Sequence, residues 1–523
     1  MWPKTPNTLC SAWRLPIQIL VFSGLSQSLT ADPLPVIRSQ TPSPAHQACS
    51  LAKTAFKASA NGSATPEYID AQSNSYVNRT QVNWSSNNWQ NASCIVSPQD
   101  VQDVARVIGI ITSTQSPFSI RSGGHDFNKN HSTVENGVII DMVNFNDITL
   151  SVDKSSITVG VGTRWGAVYQ ALNGTGVSVN GARSPDPAIG GQTISGGSGW
   201  LNNIAGPTAA SVIAADVVLA NASIIHATEQ NAADLLWALR GGGPNYGIVI
   251  SFTYKTLPVD KVWYGTVQFP AERNRELLDA LVEYRQLAAK DSKASIVFGL
   301  STDTSVPASF VGFFYADAIE YPSVFSPFYN LTAAPGGITP RLGTLADLTA
   351  GTHSPQYPEP GTVPSSHYAV TMPHKVDKAT YNETYTTFTS LAEEASDRGW
   401  VFAFGSQPIS ANAARAASNM PLGLEVVEQD WAYATLGWES PDDDSDAMGL
   451  LVRMGQGFGS AAARHDTKIR YLFMNDAYDG QPVLSSYGVE NVQKLRDISR
   501  KYDPHQVFQR LQNGGWLLSR ETA

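Results

Sequence analysis

Charged side chains and cysteines are scarce in this chain of 523 residues. Charged residues make up 15% of it, and 45 acidic against 35 basic side chains give a formal net charge of −10. Nucleic acids and anionic membranes are bound by a basic face that displaces counterions, so the acidic balance argues against both as partners. The chain also lacks a repeat of fixed period and a series of long apolar runs, which excludes a coiled coil and a polytopic membrane protein.

Glycine and proline are plentiful but dispersed. The 42 glycines and 31 prolines separate short apolar stretches and do not form a low-complexity tract. This spacing is typical of a globular, turn-rich and strand-rich protein. At about 150 residues per domain, the length predicts two to four domains.

The N-terminus has the order of a secretory signal peptide. Lys4 and Arg14 precede a mostly apolar run at 15–25, which is too short to span a bilayer and is followed by small residues. We predict a signal peptide over 1–30, with a disordered tail as the alternative. Residues 31–66 are rich in Pro, Ser and Ala and predict a loose N-terminal arm, interrupted by a short helix near 49–56.

The cysteines and the sequons indicate the same compartment. Cys10 would leave with the signal peptide, and Cys49 and Cys94 would remain as a pair. In an oxidising compartment this pair predicts one disulfide, with two buried free thiols as the alternative. We expect a secreted or secretory-pathway, N-glycosylated protein. The Asn-X-Ser/Thr sequons begin at Asn61, Asn78, Asn83, Asn91, Asn130, Asn173, Asn221, Asn330 and Asn382.

The pattern of predicted strands and helices changes near residue 260. Residues 67–260 alternate short strands with helices, for example a strand at 118–121 and a helix at 165–172. Residues 261–464 contain longer strands separated by helical stretches, which indicates a second domain with a sheet covered by helices on one face. An amphipathic helix is predicted at 489–502.

Three glycine-rich loops, at 121–126, 190–199 and 241–247, each follow a strand. Glycine lets backbone amides approach an anionic ligand closely, which is how pyrophosphate groups are bound. None of the loops fits the G-x-G-x-x-G fingerprint or a P-loop, so both of those nucleotide sites are excluded. Each loop alone is typical of structural turns, but three together indicate a large phosphate-containing cofactor.

The first of these loops resembles a known flavin site. Arg-Ser-Gly-Gly-His-Asp at 121–126 is similar to the diphosphate loop of the flavin domain shared by vanillyl-alcohol oxidase and berberine bridge enzyme. Other family motifs follow in order: Val-Gly-Thr-Arg-Trp-Gly at 161–166, Gly-Ala-Arg at 181–183, the 190–199 loop, Val-Val-Leu-Ala-Asn at 217–221, the stretch 236–249 and Lys-Tyr-Asp-Pro at 501–504. The chain most resembles fungal berberine-bridge-like FAD-linked oxidoreductases, many of which serve secondary metabolism.

This resemblance implies an α+β fold in three parts. A PCMH-type FAD-binding domain of two α/β subdomains is expected at 67–260. A substrate domain, an antiparallel sheet covered by helices, is expected at 261–464. A C-terminal berberine-bridge-like segment at 465–523 would return to the FAD domain.

The resemblance also assigns the cofactor residues. His125 would attach covalently to the 8α carbon of FAD, with a loop histidine bound to backbone as the alternative. Ser195 stands where bicovalent members carry a cysteine, so a single covalent link is expected. The other residues expected to bind the cofactor are Arg121, Ser122, Gly123, Gly124, Asp126, Ser195, Gly196, Gly197, Val249 and Asn475.

For the catalytic base, the strand at 428–438 loosely matches the one that carries the carboxylate of berberine bridge enzyme. Asp430 and Glu428 are predicted on one face of it and Trp431 and Tyr433 on the other. Desolvation near a flavin would raise the basicity of Asp430. A solvated carboxylate at a strand edge is the alternative.

A second set of candidate bases lies near the family's Tyr-X-Asn-Tyr motif. Phe473-Met474-Asn475-Asp476 keeps the asparagine of this motif and loses both phenols. Tyr471 would share a strand face with position 473 and could substitute for a phenol. His374 is a further candidate.

The sequence therefore predicts a monomeric oxidase without a metal. It would transfer hydride from a small organic substrate, at an alcohol or amine carbon or a ring-forming site, to covalently bound FAD, with O2 as the reoxidant. A carbohydrate oxidase is one alternative, in which Trp431 and Trp438 stack on sugar rings. A flavoprotein that guides a cyclisation without net redox is the other.

Overall fold

The computed structural model describes residues 42–57, 67–302, 309–336, 338–351 and 365–521. The predicted signal peptide lies outside these residues, as do the sequon at Asn61 and much of the N-terminal arm. Within the arm, the predicted short helix is longer than expected and runs over Pro44–Lys57. No helix in the described part of the chain is both long and apolar enough to cross a bilayer.

Nine strands between residues 67 and 255 form two sheets. They are β1 (Glu67–Asp70), β2 (Cys94–Ser97), β3 (Phe118–Arg121), β4 (Val138–Asp141), β5 (Ile148–Leu150), β6 (Ser156–Gly160), β7 (Val212–Val218), β8 (Ile224–Thr228) and β9 (Ile248–Lys255). The first sheet has the order β1-β2-β4-β3, in which β2 and β3 run parallel to β4. The second has the order β5-β6-β9-β7-β8 and is antiparallel.

Helices cover these two sheets. They are α1 (Pro44–Lys57), α2 (Tyr76–Thr80), α3 (Val101–Thr114), α4 (Trp165–Leu172), α5 (Ile189–Ile194), α6 (Asn202–Ala205) and α7 (Ala233–Leu239). Helix α3 begins after Asp100, whose side chain accepts a hydrogen bond from the Asp103 amide, and it buries the apolar face predicted by its periodicity. A disulfide between Cys49 on α1 and Cys94 on β2 confirms the predicted cysteine pair.

Residues 262–438 build a third, eight-stranded sheet. Its strands are β10 (Val262–Phe269), β11 (Ala294–Ser301), β12 (Ser309–Tyr315), β13 (Ile338–Gly343), β14 (Ser366–Lys375), β15 (Val401–Ser406), β16 (Pro408–Ile409) and β17 (Gln429–Trp438). The order is β13-β10-β12-β11-β15-β17-β14, with β16 beside β17, and the pairs are antiparallel. The change from the second to the third sheet falls between Lys255 and Val262.

Four helices pack on one face of the third sheet: α8 (Asn274–Ala288), α9 (Ser326–Tyr329), α11 (Lys378–Asp397) and α13 (Asp444–Arg464). Two further helices of this region, α10 (Leu345–Ala350) and α12 (Ala411–Ala416), pack against α4 and α6 instead. Leu281 of α8, Phe388 of α11 and Leu450 of α13 share one apolar core with strand residues such as Phe298 and Ala434. The opposite face of the sheet is left to line a cavity. The predicted α+β class, with an antiparallel sheet covered by helices, is confirmed.

The C-terminal segment packs against the first two sheets. It contains α14 (Val489–Tyr502) and α15 (Val507–Arg510), and α14 contacts α7. The Phe118 amide donates to the carbonyl of Leu511, and the Asn513 amide donates to that of Phe118. Short 3₁₀ helices complete the described elements: Ser86–Asn88, Thr208–Ser211, Ala271–Arg273, Ser323–Phe325, Pro441–Asp443, Met474–Asp476 and Ser485–Tyr487.

Candidate active site

All three predicted glycine loops line one cavity of about 540 Å³. This volume lies in the range of sites that bury a small molecule or a cofactor. The cavity walls also include the free face of the third sheet and the C-terminal segment. The loop residues that line it are Ser122, Gly123, Gly124, His125, Asp126, Gly190, Gly191, Gln192, Ile194, Ser195, Ser198, Gly243, Pro244 and Gly247.

The first loop passes so close to its neighbours that only glycine fits. A Cβ added to Gly123 would lie 2.6 Å from the Cβ of Ala188. Gly124 has a φ of +67°, in the left-handed region that side chains rarely adopt, and an added Cβ would lie 2.9 Å from Oδ1 of Asn83. The backbone here can therefore approach an anionic ligand, as a flavin diphosphate requires. The loop fits the cofactor predicted from the sequence.

Arg121 does not face this cavity, and its prediction as a cofactor ligand is corrected. Along β3 successive side chains point to opposite faces, so Ile120 and Ser122 line the cavity while Arg121 points away. Its side chain is 1% exposed, and Nη2 donates to Oδ2 of Asp141 at 2.6 Å. Arg79 donates to the same oxygen at 2.7 Å. Arg121 anchors the strand from which the loop begins.

The remaining predicted cofactor residues divide into two groups. Ser195, Val249 and Asn475 line the cavity. Gly196 and Gly197, the next two residues along the chain, are not among the lining residues, and their role in cofactor binding stays a prediction. They form the turn after Ser195, where the Gly197 amide donates to Oδ1 of Asn475 at 3.2 Å. The Gly197 amide therefore helps to hold Asn475 in the wall.

His125 lies in the cavity wall within an aromatic stack. The Trp84 ring stacks on His125 with centroids 5.1 Å apart and on His367 with centroids 4.4 Å apart. Burial is the main cause that lowers the pKa of His367 to about 4, so this imidazole is neutral at physiological pH. Two planar rings thus bracket Trp84, and His125 is held at the edge of the predicted flavin site.

Asp126 is fixed by donors on its own loop. The Asn128 amide donates to its Oδ1 at 2.8 Å, and Nδ1 of His131 lies 3.0 Å from Oδ2. Burial by itself would raise the pKa of the Asp126 carboxyl, but His131 and the Asn128 amide outweigh it and keep the pKa below its usual range. The carboxylate therefore orders the loop as an anion.

The free face of the third sheet forms the other wall of the cavity. Tyr433 and Thr435 of β17 line it, while Ala432 and Ala434 lie in the core under the helices. Alternation along the strand explains the division. Other sheet residues in the wall are Thr266, Val297, Phe310, Gly312 and Ala369.

The same alternation places Asp430 on the helix-covered face, which corrects its predicted role as base. Asp430 is 0% exposed. Tyr381 Oη and Ser406 Oγ donate to its Oδ2, and the Gln407 amide donates to Oδ1 at 2.9 Å. Both carboxylate oxygens are occupied, and the residue does not line the cavity. Asp430 holds the backbone of Gln407 in position.

Glu428 and His374 also lie outside the cavity. Glu428 accepts a hydrogen bond from Nη2 of the buried Arg285 at 3.0 Å and another from the Ala411 amide. His374 is packed edge-on against Tyr381 and Phe458, and burial lowers the pKa of its imidazole. Both predictions of a base are corrected, because these side chains belong to the helix-covered side of the sheet.

Tyr471 is buried behind the cavity wall. Its ring lies between those of Trp431 and Tyr487, with centroids 5.2 and 5.8 Å away. Burial raises the pKa of the phenol well above its usual value. The segment before the 3₁₀ helix Met474–Asp476 is irregular, so the two-residue alternation assumed for positions 471 and 473 does not hold. Phe473 lines the cavity and Tyr471 does not, which corrects the predicted substitution.

The structure brings Asp476 into the cavity, a residue that the sequence interpretation passed over. Nε2 of Gln407 donates to Oδ2 of Asp476, and Nη1 of Arg183 donates to Oε1 of the same glutamine. Burial raises the pKa of Asp476 to about 6, against the opposing effects of Gln407 and Arg183. Tyr433 lines the same wall, and burial raises the pKa of its phenol to about 12.

The sequence contained a signal for two of these three residues, Asp476 and Arg183. Asp476 occupies the second phenol position of the Tyr-X-Asn-Tyr motif, and Arg183 ends the Gly-Ala-Arg motif. Gln407 had no such signal, because only the fold brings it between the two.

The two tryptophans proposed to stack on sugars are not in the cavity. Trp431 is 0% exposed and stacks on Phe473, with ring centroids 4.6 Å apart. Trp438 is 2% exposed, stacks on Tyr368 and donates from Nε1 to Asp444. The observation that favoured a carbohydrate oxidase is therefore removed. The described residues also contain no cluster of three or more His, Cys, Asp or Glu side chains suited to a metal ion.

Comparison with known proteins connects this site to flavoenzymes. A family model described as an FAD binding domain matches residues 92–228. An FAD-dependent monooxygenase of Arthrobotrys oligospora is 34% identical over 452 residues, which cover 85% of this chain and 86% of that protein. The bifunctional solanapyrone synthase of Alternaria solani is 29% identical over 439 residues, 82% of each chain.

Solved structures of oxidases share the fold. A 6-hydroxy-D-nicotine oxidase from Arthrobacter nicotinovorans superposes with a TM-score of 0.72 at 18% identity, covering 86% of this chain and 98% of that one. A glucooligosaccharide oxidase from Acremonium strictum, described with a 6-S-cysteinyl, 8α-N1-histidyl FAD, gives 0.70 at 18% identity and covers 87% and 97%. At such identities the likeness shows the fold alone, and it confirms the predicted PCMH-type architecture.

Proposed function

The chain belongs to the berberine-bridge-enzyme-like FAD-linked oxidoreductases of the vanillyl-alcohol oxidase/PCMH superfamily, and we propose that it is an oxidase for a small organic metabolite. The single observation that supports this is the cavity itself. It joins three glycine loops and His125 to a wall that contains Tyr433 of the third sheet and Asp476 of the C-terminal segment. FAD supplies a two-electron acceptor that dioxygen can reoxidise.

Residues on one wall of the cavity would bind the cofactor, and residues on the opposite wall would pack against the substrate and exclude water. The 122–126 loop would hold the diphosphate through backbone amides, and Asn475 and Val249 would contact the rest of the cofactor. Phe310, Tyr433 and Thr435 would pack against the substrate from the opposite wall. A cavity of this kind would position a substrate carbon, and bound cofactor and substrate would displace water from it.

A single covalent link to His125 is part of the proposal. His125 lies in the wall of the cavity, and the side chain at position 195, also in the wall, is a serine that offers no thiol for a second bond. The purified protein denatured in acid should keep its yellow colour and flavin fluorescence on the polypeptide. His125→Ala should release the flavin on denaturation, and the exposed His226→Ala serves as the matched control. Release of the flavin from the wild-type protein would rule the link out.

A monooxygenase is the second candidate, because the relative from Arthrobotrys oligospora, which matches 85% of this chain, is an FAD-dependent monooxygenase. Turnover in ¹⁸O2 separates the two. An oxidase forms labelled hydrogen peroxide in proportion to product and leaves the product unlabelled, whereas a monooxygenase places one labelled oxygen atom in the product. Relatives such as solanapyrone synthase support a secondary-metabolite substrate.

We further propose that the protein is a secreted or secretory-pathway monomer with N-linked glycans. The Cys49–Cys94 disulfide supports an oxidising compartment. Five sequon asparagines are exposed: Asn78, Asn91, Asn173, Asn221 and Asn330. Asn83 is 0% exposed and donates to Asn88 and Ser132, which excludes it as an acceptor in the folded state. Glycosidase treatment, N-terminal sequencing and light scattering of the secreted protein test these three points.

A further inference from the structure

We propose that Asp476 is the catalytic base of this cavity and that it takes the hydroxyl proton of an alcohol substrate. The inference rests on the proposed oxidase function and deepens it by naming the base and the substrate class. It departs from the predicted bases Asp430, Glu428 and Tyr471, none of which lines the cavity.

Directional hydrogen bonds fix the carboxylate. A guanidinium can only donate, so Oε1 of Gln407 must face Arg183, and its Nε2 must then face Asp476. The backbone N–H of Gln407 donates to Oδ1 of Asp430 at 2.9 Å, which fixes the residue in the chain, and Nη2 of Arg183 donates to Oγ of Ser198 at 2.6 Å. The orientation of the side-chain amide is therefore set on both sides.

One oxygen of Asp476 stays available to a substrate. Gln407 occupies Oδ2, and among the described residues Oδ1 accepts no hydrogen bond. The carboxylate is half-buried and its open side faces the cavity. A general base needs an acceptor atom that is oriented by the protein and open to the reacting proton, and Oδ1 of Asp476 meets both conditions.

The charges around Asp476 suit a base near neutral pH. The groups that face it are Gln407, the cation Arg183, and the phenols of Tyr433 and Tyr471, whose pKa values are raised by burial so that both are neutral. Burial raises the pKa of Asp476 to about 6, while Gln407 and Arg183 hold it down. The carboxyl is therefore ionised at neutral pH and yet more basic than an ordinary aspartate, the condition under which a general base is effective.

The same charges suit a neutral alcohol. Arg183 and the Asp476 carboxylate both line the cavity and offset each other, so the pair offers no net negative charge to hold a substrate ammonium group. In the oxidation of an alcohol, the O–H bond breaks and its proton passes to Oδ1 of Asp476. The substrate C–H hydrogen would leave with its electron pair, which FAD would accept when bound, and a C=O bond would form. Dioxygen would then take up the two electrons and two protons to give hydrogen peroxide.

The decisive variant is Asp476→Asn in the holoenzyme, which keeps the shape of the side chain and cannot accept the proton. The exposed Asp479→Asn is the matched control. Infrared difference spectra between about pH 5 and pH 8 should show a protonated carboxyl band with a midpoint near 6 in the wild type and the control. Asp476→Asn should lack this band and keep the wild-type flavin content. A band that persists in Asp476→Asn overturns the proposal.

Anaerobic stopped-flow reduction of the flavin tests catalysis, with benzyl, cinnamyl and geranyl alcohols and the corresponding amines as probes. The alcohols should reduce the wild-type flavin faster than the amines, and Asp476→Asn should slow reduction about 100-fold or more. A loss below about tenfold, or reduction by no alcohol in the panel, overturns the inference. A purified wild-type protein without flavin would instead refute the proposed function, so the two failures are distinguishable.

Discussion

Replacement of Asp141 by asparagine tests whether the ion pair with Arg121 holds the strand before the 122–126 loop in place. Asp141 on β4 is 3% exposed and accepts hydrogen bonds from Arg121 at 2.6 Å and from Arg79 at 2.7 Å. Burial alone would raise the pKa of its carboxyl, but the two guanidinium groups outweigh burial and hold the pKa below its usual range. The carboxylate is thus the counter-charge for a buried arginine directly before the 122–126 loop.

The expected loss of unfolding free energy follows from the buried guanidinium that Asp141→Asn leaves without a charge partner. Asp141→Asn keeps the volume, but Arg121 at 1% exposure loses its charge partner, whereas Arg79 keeps Glu67 at 2.7 Å. Removing one partner of a buried ion pair costs about 3–5 kcal/mol. We expect a loss of this size in unfolding free energy and a lower flavin content, because the strand that carries the loop is no longer anchored.

The assay is urea unfolding followed by tryptophan fluorescence, with the flavin-to-protein ratio measured on the same samples. Asp153→Asn, at an exposed turn, is the control and should leave both quantities unchanged. The folded-state pKa of Asp141 is lowered, so its stabilisation is present above the unfolded pKa of about 3.9 and is lost as the pH falls through the folded pKa. The difference between variant and wild type should therefore be full at neutral pH and shrink below about pH 4. A change under about 1 kcal/mol with full flavin content would refute the reasoning.

Three further predictions concern single features of the fold and the site. Removing the disulfide by Cys49→Ala and Cys94→Ala frees a loop with a sequence separation of 45 and should cost about 4 kcal/mol of unfolding free energy by the chain-entropy model, read as a lower urea midpoint. Gly123→Ala should lower flavin content with an unchanged circular dichroism spectrum, because the added Cβ would lie 2.6 Å from another Cβ; Gly109→Ala, with open space around it, is the control. Asp476→Asn should raise the melting temperature above about pH 6, since the folded pKa is raised and the ionised form is disfavoured, and this gain should vanish below about pH 4. An unchanged midpoint, an unchanged flavin content or a pH-independent melting temperature would contradict the respective prediction.

The local elements were predictable because their causes are local. The strand at Phe118–Arg121 and the helices Trp165–Leu172 and Val489–Tyr502 have the bounds that their apolar periodicity and end residues predict. The loop around Gly123 and Gly124 was also predictable, since the close approach it needs selects glycine at the sequence level. The cysteine pair followed from a simple count.

The choice of base was not predictable in this way. Asp430 has the residue type and the approximate motif position of a base, but the face that α11 and α13 cover decides which side chains of β17 are buried. Arg121 was misassigned for the same reason, because strand alternation places it opposite the cavity.

The sequence by itself therefore determined the family, the cofactor loops and most helices and strands, because each of these depends on residues that are near neighbours along the chain. Only the tertiary structure decided the chemistry of the cavity. Burial in the fold raises the pKa of Asp476, and Gln407 and Arg183, which lie far from it in the sequence, orient its carboxylate and leave one oxygen open. Burial and hydrogen-bond direction are properties of the assembled fold, and no local pattern records them.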